Sequence, residues 1–206
     1  MYSKIPNYVI GFHGCDKSTR DKIISDQDIM RHSYNNYDWL DHGVYFWEYN
    51  YNRALEFANY IKNNANIFNT KITEPSVLGA IIDLGYCFNL VDSEYLHLLK
   101  KTYNNFKLIT ESAGNIMPVN KRTSDSGHDY LLRPLDCAVI EFLHTYNKQN
   151  NHTPFHSVRG VFWEGKELYD GAGFKEKNHI QICIRNPNYI KGFFIPRNKD
   201  NDYEMP

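Results

Sequence analysis

The groups that could do chemistry stand at three places, far apart in the chain. The motif YVIGFHGCD ends a short apolar run with His13 and Gly14. The motif GVYFWE presents Tyr45 shortly after a glycine, and HIQICIR places Gln181 among apolar residues. An imidazole, a phenol, a carboxamide and a backbone open to close approach are groups that hold a polar ligand by hydrogen bonds. The fold must therefore bring three distant segments together if they form one site.

Each of these residues also has a purely structural interpretation. His13 fits a turn in which its ring bonds a backbone carbonyl, and Tyr45 fits the core of an aromatic-rich strand. Gln181 fits a cross-link between two strands through its amide. Cys15 follows His13 too closely, and without an orienting third group, to indicate a thiol hydrolase. Motifs of serine hydrolases, P-loop enzymes, dinucleotide-binding folds and zinc proteases are absent from the sequence.

Composition narrows the class of protein. The chain has 206 residues and a net charge of -1, which suits one domain over residues 1–206 and argues against a dominant binder of phosphate backbones. The N-terminus lacks signal-peptide features and no apolar run is long enough to span a membrane, so we expect a soluble, cytoplasmic protein without membrane partners. The four cysteines are widely separated and without zinc-type spacing, which predicts free thiols; no metal site is predicted from the dispersed histidines.

The hydrophobic pattern predicts strands at both ends of the chain and helices between them, which is an α+β fold. Predicted strands cover residues 7–14, 44–47, 76–91 (one strand or two joined at Gly85), 157–165, 179–185 and 190–196. Predicted helices cover residues 17–26, 52–63 and 93–103, with Asp92 as the N-cap of the third, and a further helix is predicted after a cap at Asp136. A polar loop is predicted over 120–134 and a glycine-bearing loop over 166–178. Glu48 and Glu164 are interpreted as strand-end charges that point to solvent.

The order of these features resembles the ADP-ribosyltransferase superfamily, in its diphtheria-toxin and poly(ADP-ribose) polymerase branch. That family has a His-Gly pair on its first strand, a G-x-Y-F strand before an alanine-containing helix, and a polar residue on a late strand behind a mobile loop. Here the matching residues are His13-Gly14, the GVYF motif with Ala54 and Ala58 after it, and Gln181 behind the loop 166–178. The resemblance implies a single domain with two small, mainly antiparallel sheets that form a cleft. It also implies NAD as co-substrate, no metal, and a toxin-like or phage-defence role.

The resemblance assigns roles to individual residues. The Gly14 backbone would pair with the nicotinamide carboxamide and His13 with the ribose hydroxyls on the adenosine side. Tyr45 would stack on the nicotinamide ring, and either Tyr37 or Tyr34 would supply the opposite face, unless this segment is a lid packed by its own aromatics. The protein or nucleic-acid acceptor is left open, as is a neutralising partner protein. Arg185 and Arg197 are either phosphate contacts or surface arginines.

Gln181 departs from the family pattern, in which this position is usually glutamate. A glutamate would stabilise the cation that develops on the ribose, whereas an amide offers only a hydrogen bond. His179 lies two residues earlier on the same strand face, and the loop carboxylates Glu176 and Glu167 are candidates to supply the missing charge. Three hypotheses follow: a mono-ADP-ribosyltransferase, a catalytically silent module that binds NAD or ADP-ribose, and a protein-interaction domain with an aromatic surface.

Overall fold

The computed structural model describes residues 8–65, 71–122, 129–198 and 202. Helices are α1 (Lys17–Ile24), α2 (Tyr51–Asn63), α3 (Ser93–Ser112) and α4 (Pro134–Gln149). Strands are β1 (Tyr8–Asp16), β2 (Val44–Glu48), β3 (Pro75–Asp83), β4 (Cys87–Asn89), β5 (Ser157–Phe162), β6 (His179–Ile184) and β7 (Ile190–Phe194). The α+β prediction is thus confirmed.

All seven strands belong to one hydrogen-bonded sheet with the order β4-β5-β6-β2-β1-β3-β7. Only β4 and β5 pair in parallel, so the sheet is mainly antiparallel, as predicted. Strand pairing does not divide the sheet into two. However, β1 and β2 pair at only two positions, Gly11 with Glu48 and Phe12 with Trp47. The ladder between these two central strands is therefore short, and toward His13 and Tyr45 the strands are no longer paired.

The register defines two faces of the sheet, because residues directly opposite one another in an antiparallel pair point to the same side. One row of paired residues crosses six strands, namely Gly160, Gln181, Trp47, Phe12, Gly79 and Phe194. We call this side the Gln181 face. The alternate residues, among them Phe46 and Ile182, form the Phe46 face.

Helices cover both faces. On the Gln181 face, α2 packs through Ala54 against Trp47 and Val77, while α4 packs through Ile140 and Leu143 over β5 and β6, with α3 beside it. On the Phe46 face, α1 packs through Ile23 on Cys15 and Leu78. Fully buried Phe46, Ile182, Ile184 and Ala80 form the middle of the core on that side. The Gln181 face is thereby covered by α2 and α4, whereas on the Phe46 face α1 covers only the β1–β3 side and Met30 and Leu84 pack against the rest.

Several element bounds differ from the sequence-based ones for local reasons. Asp92 caps α3 as predicted, through its bond from the Glu94 amide, but the helix continues to Ser112. Asp136 does not cap α4, because the helix begins at Pro134 and Arg133 occupies the cap position. The segment 76–91 forms two strands because Gly85 adopts a positive φ of 58° between them. Of the polar loop predicted over 120–134, residues 123–128 lie outside the described part of the chain.

Candidate active site

The three strands that carry His13, Tyr45 and Gln181 are direct neighbours in the middle of the sheet. Strand β2 pairs with β1 on one side and with β6 on the other. The Nδ1 atom of His13 lies 2.8 Å from the carbonyl oxygen of Tyr45. Gln181 lies directly opposite Trp47, two residues beyond Tyr45 on β2. The tertiary structure therefore brings the three predicted segments side by side.

His13 is placed where β1 and β2 stop pairing. A carbonyl oxygen only accepts hydrogen bonds, so Nδ1 carries the proton that it donates to Tyr45, and Nε2 is left as an acceptor while the ring is neutral. Burial lowers the pKa of His13, and the bond to the Tyr45 carbonyl opposes that effect only in part. The ring packs edge-on to Phe46 and lies on the Phe46 face. Its side chain therefore points away from those of Tyr45 and Gln181.

Gly14 is enclosed by α2. A Cβ atom there would lie 2.1 Å from the carbonyl oxygen of Ala54 and 3.3 Å from the Cβ of Ala58. Both alanines are fully buried. Close packing of the helix on β1 is therefore sufficient to require glycine at this position, whether or not a ligand also approaches its backbone.

Tyr45 is held by the loop that precedes its strand. Its hydroxyl accepts a hydrogen bond from the Leu40 amide at 2.9 Å and donates one to the Asp41 carbonyl at 2.5 Å. Burial, and to a lesser degree the neighbouring Cys183 and Asp38, raise the pKa of the phenol well above its ordinary value. Tyr45 is thus a neutral, orientationally fixed ring beside β6.

Gln181 and His179 share the Gln181 face, as their spacing predicted. Gln181 is partly exposed, and within the described chain its amide has no hydrogen-bond partner. The Nδ1 atom of His179 lies 2.6 Å from the Lys177 carbonyl, which leaves Nε2 as an acceptor without a partner. Burial lowers the pKa of His179. The strand therefore offers a free carboxamide and a neutral, buried imidazole.

Tyr37 lies in the loop before β2 and its side chain is exposed. Its carbonyl accepts a hydrogen bond from the Arg133 amide at 3.2 Å, which ties this loop to the start of α4. Tyr34 is also exposed, and its ring lies beside those of His32 and His42, at 5.8 and 5.5 Å between centroids.

Sequence reasoning missed a polar group beside Gln181. Arg53 on α2 donates to Glu164 at 2.7 Å, and its guanidinium lies 5.9 Å from the centroid of the Trp47 ring. The Trp47 and His179 rings are 6.5 Å apart. The buried nitrogens Trp47 Nε1, Arg53 Nε and His179 Nε2 all lack a hydrogen-bond partner in the described chain. Unpaired buried donors and acceptors are costly, so this group is suited to receive a polar ligand.

Glu164 and Glu48 are both ion-paired, so the interpretation of them as solvent-directed charges was wrong. Glu48 receives two bonds from Arg159, at 2.5 and 2.9 Å. The side chain of Glu164 is only 13% exposed. Each glutamate follows a Phe-Trp pair, and this apolar context is a sequence signal that its side chain is partly buried. The partner arginines could not be identified from the sequence, because each is 111 residues away.

The loop 166–178 is fastened to its surroundings. Lys175 bonds Asp129 at 2.6 Å, and the same carboxylate accepts the Gly165 amide at 2.7 Å. Glu176 and Glu167 accept amides of the loop itself, from Lys166 and Gly171. These two carboxylates are therefore engaged in holding the loop.

A cavity of about 590 Å³ lies between β5 and the two helices α3 and α4. Trp39, Arg133 and Phe162 line it, and the Arg133 guanidinium lies against both rings, 4.2 and 4.8 Å from their centroids. None of the predicted site residues lines this cavity.

Comparisons with protein-family models, with curated proteins and with solved structures found no match to this chain. Among the described residues, no helix combines the length and the apolar character that crossing a membrane requires. The case for function therefore depends on the residues themselves.

Proposed function

We propose that this protein is an NAD-dependent mono-ADP-ribosyltransferase with an ADP-ribosyltransferase-like fold. The observation that carries the proposal is the adjacency of β1, β2 and β6, with the His13 imidazole bonded to the carbonyl of Tyr45. The motifs stand 32 and 136 residues apart in sequence, from His13 to Tyr45 and from Tyr45 to Gln181, yet they meet at the centre of one sheet. In the reaction, the bond between ribose and nicotinamide breaks, nicotinamide leaves, and a nucleophile of a protein or nucleic acid takes the ADP-ribose group.

The positions of the side chains constrain how NAD would bind. His13 lies on the Phe46 face, whereas Tyr45 and Gln181 lie on the other. NAD would therefore have to enter where β1 and β2 stop pairing, with its adenosine ribose near the acceptor Nε2 of His13 and its nicotinamide near Tyr45. A neutral imidazole suits that role, because a ribose hydroxyl donates to it.

The Gln181 face offers the groups for the reacting ribose. The partly exposed amide of Gln181 can bond the 2'-hydroxyl, and the unpaired Nε2 of buried His179 can accept a proton from the attacking acceptor. Glu164 could supply the missing carboxylate, although its charge is neutralised by Arg53 at 2.7 Å. Transition-state stabilisation by this site would accordingly be weak.

Nicotinamide release is the direct test. The protein is incubated with NAD, nicotinamide is quantified by chromatography, and mass spectrometry searches the protein and added nucleic acid for ADP-ribose. We expect His13→Ala and Tyr45→Ala to reduce release by about 100-fold, as removal of a group that orients or stabilises the reacting centre does. Tyr146→Ala, an exposed tyrosine on α4, is the matched control and should keep full release. Unchanged turnover in both site variants, with circular dichroism confirming their fold, would refute the site.

The uncharged Gln181 favours a second candidate, a silent module that binds NAD or ADP-ribose without cleaving it. This candidate predicts heat of NAD binding by calorimetry, lost in His13→Ala, with no nicotinamide released by the wild type. Gln181→Glu would then introduce measurable nicotinamide release. If NAD neither binds nor raises the melting temperature, the exposed tyrosines Tyr34, Tyr37 and Tyr49 favour a protein-docking role instead.

A further inference from the structure

A second polar cluster lies on the other side of Tyr45, between the loop before β2 and α4. Its centre is Asp41, whose side chain is fully buried. One oxygen, Oδ1, lies 3.6 Å from Nδ1 of His42, and that nitrogen lies 3.7 Å from Oε2 of Glu141. Ligand atoms of Asp41, His42 and Cys137 all lie within 4.8 Å of one another. Carboxylate, imidazole and thiol groups from two separate segments thus converge on one point.

The carboxyl groups of Asp41 and Glu141 are neighbours, and Glu141 contributes to the raised pKa of Asp41. Oδ1 of Asp41 and Oε2 of Glu141 are buried and accept no hydrogen bond in the described chain, whereas Oδ2 of Asp41 is ion-paired with Arg185. His144, whose side chain is 4% exposed, has neither ring nitrogen bonded. The backbone of Asp41 also has a positive φ of 74°, a conformation that non-glycine residues seldom adopt. Buried polar atoms without hydrogen-bond partners indicate that this position can accept a further ligand.

We propose that Asp41, His42, Cys137 and Glu141 form a binding site for one divalent transition-metal ion of the zinc class. Carboxylate oxygen, imidazole nitrogen and thiolate sulfur are the three ligand types that zinc takes in proteins. Cys137 and Glu141 are four residues apart on α4 and so share one face of that helix, while Asp41 and His42 come from the facing loop. Neither segment has a metal-binding spacing by itself.

Two of the ligand separations fit tetrahedral coordination, while those to the Cys137 sulfur are known to lie within 4.8 Å. Zinc bonds of about 2.0 to 2.3 Å place the ligand atoms of a tetrahedron roughly 3.3 to 3.7 Å from each other. The observed separations are 3.6 Å from Asp41 to His42 and 3.7 Å from His42 to Glu141.

The second oxygen of Asp41 has its own neighbours. Oδ2 lies 3.2 Å from Nε of Arg185 and 3.5 Å from Nε2 of His144. Groups of this kind orient a ligating carboxylate from outside the coordination sphere. The two oxygens of Asp41 are thereby divided between the ion and these basic side chains.

The charges balance with the ion in place. Asp41, Glu141 and a Cys137 thiolate carry three negative charges, and Arg185 carries one positive charge. A divalent cation makes the site neutral, and binding releases to solvent both the thiol proton of Cys137 and the proton that the metal-free Asp41 carboxyl holds near neutral pH. His42 is partly exposed and lies beside exposed Tyr34, so this is the side from which an ion would enter. The ion would fasten the loop to α4, and with it the Asp41 carbonyl that accepts the Tyr45 hydroxyl.

Cobalt provides a test that does not depend on enzyme activity. The full chain is stripped with chelator and titrated with Co²⁺ while its absorbance is recorded. We expect one equivalent to bind, with thiolate-to-cobalt charge-transfer absorption and the intense visible bands of a tetrahedral site. Saturating Zn²⁺ should abolish these bands and raise the melting temperature by roughly 5 to 10 °C at a hundredfold excess over its dissociation constant.

Variants locate the ion. Cys137→Ser should remove the charge-transfer band, whereas Cys87→Ser, a half-buried thiol on β4, should keep it. His42 is partly exposed, and His42→Ala should weaken Co²⁺ binding at least tenfold. Loss of a group that only supports a metal ligand already costs about that much affinity. A chain that binds no Co²⁺ at micromolar concentration overturns the proposal. So does a charge-transfer band that survives in Cys137→Ser or disappears equally in Cys87→Ser.

Discussion

At the scale of single residues, the glycine of the His-Gly pair illustrates how one position can satisfy two explanations. Resemblance assigned Gly14 to a ligand's carboxamide, and the structure adds that the carbonyl of Ala54 occupies the space of a side chain. The packing reason could not be foreseen, because it depends on where α2 crosses β1. The alanines at 54 and 58 were visible in the sequence, but not which strand they approach.

Substitution of Gly14 measures this close packing. Gly14→Ala should lower the free energy of unfolding by about 3 kcal/mol, the upper part of the range for overpacking, because the obstructing atom belongs to the backbone of α2. Urea denaturation provides the measurement. Gly192→Ala on β7 is the control, since a Cβ there meets nothing within 4 Å. Equal stability of the two variants would contradict the proposed role of Gly14 in helix packing.

At the scale of elements, an ion pair holds β5 to β2 across the intervening strand. Arg159 on β5 lies opposite Ile182 of β6, and its guanidinium continues past that strand to Glu48 at the end of β2. The two side chains are 17% and 10% exposed. Loss of one partner would leave a poorly hydrated charge on the other.

A double-mutant cycle tests this pair. Arg159→Met should destabilise the protein by about 2 to 4 kcal/mol, and adding Glu48→Gln should recover part of the loss, because the stranded carboxylate is then removed. Thermal denaturation of the four proteins gives the coupling energy. Arg31→Met, which removes a surface arginine paired with Asp28 at 3.8 Å, should change stability by less than about 0.5 kcal/mol. If Arg159→Met destabilises the protein no more than Arg31→Met does, the Arg159–Glu48 ion pair does not stabilise the sheet.

At the scale of the whole molecule, the Asp41 cluster connects the loop before β2, helix α4 and the end of β6. In the metal-free protein, burial, together with the neighbouring Glu141 carboxyl, raises the pKa of Asp41 to about 8. An unfolded chain has this pKa near 4. Between these values the folded state holds a proton that the unfolded state has lost, so folding is weakened as the pH rises.

The raised pKa of Asp41 predicts that the stability of the folded protein decreases as the pH rises. With chelator present, wild-type stability relative to Asp41→Asn should be greatest below about pH 4 and should decline as the pH rises toward 8, by on the order of 1 kcal/mol per pH unit at most. Asparagine keeps the shape and tolerates the positive φ of this position. Urea denaturation of both proteins from pH 5 to 8 gives the difference, in which the titration of the histidines cancels. A constant difference across that range would show that Asp41 does not titrate there.

What the sequence determined by itself is mostly local. Alternation of apolar residues located the strands that bear His13, Tyr45 and Gln181, and capping chemistry located the start of α3 at Asp92. These signals depend on neighbours in the chain, whose geometry each residue type restricts directly.

Only the tertiary structure decided which segments meet. It placed the three motif strands side by side, pointed His13 to the face opposite Gln181, and paired Arg159 with Glu48 over 111 residues of sequence. It also gathered Asp41 and Cys137, which no spacing connects, around one point. The physical reason is that strand order and helix docking depend on how the entire chain buries its apolar surface, and contacts between distant residues follow from that arrangement.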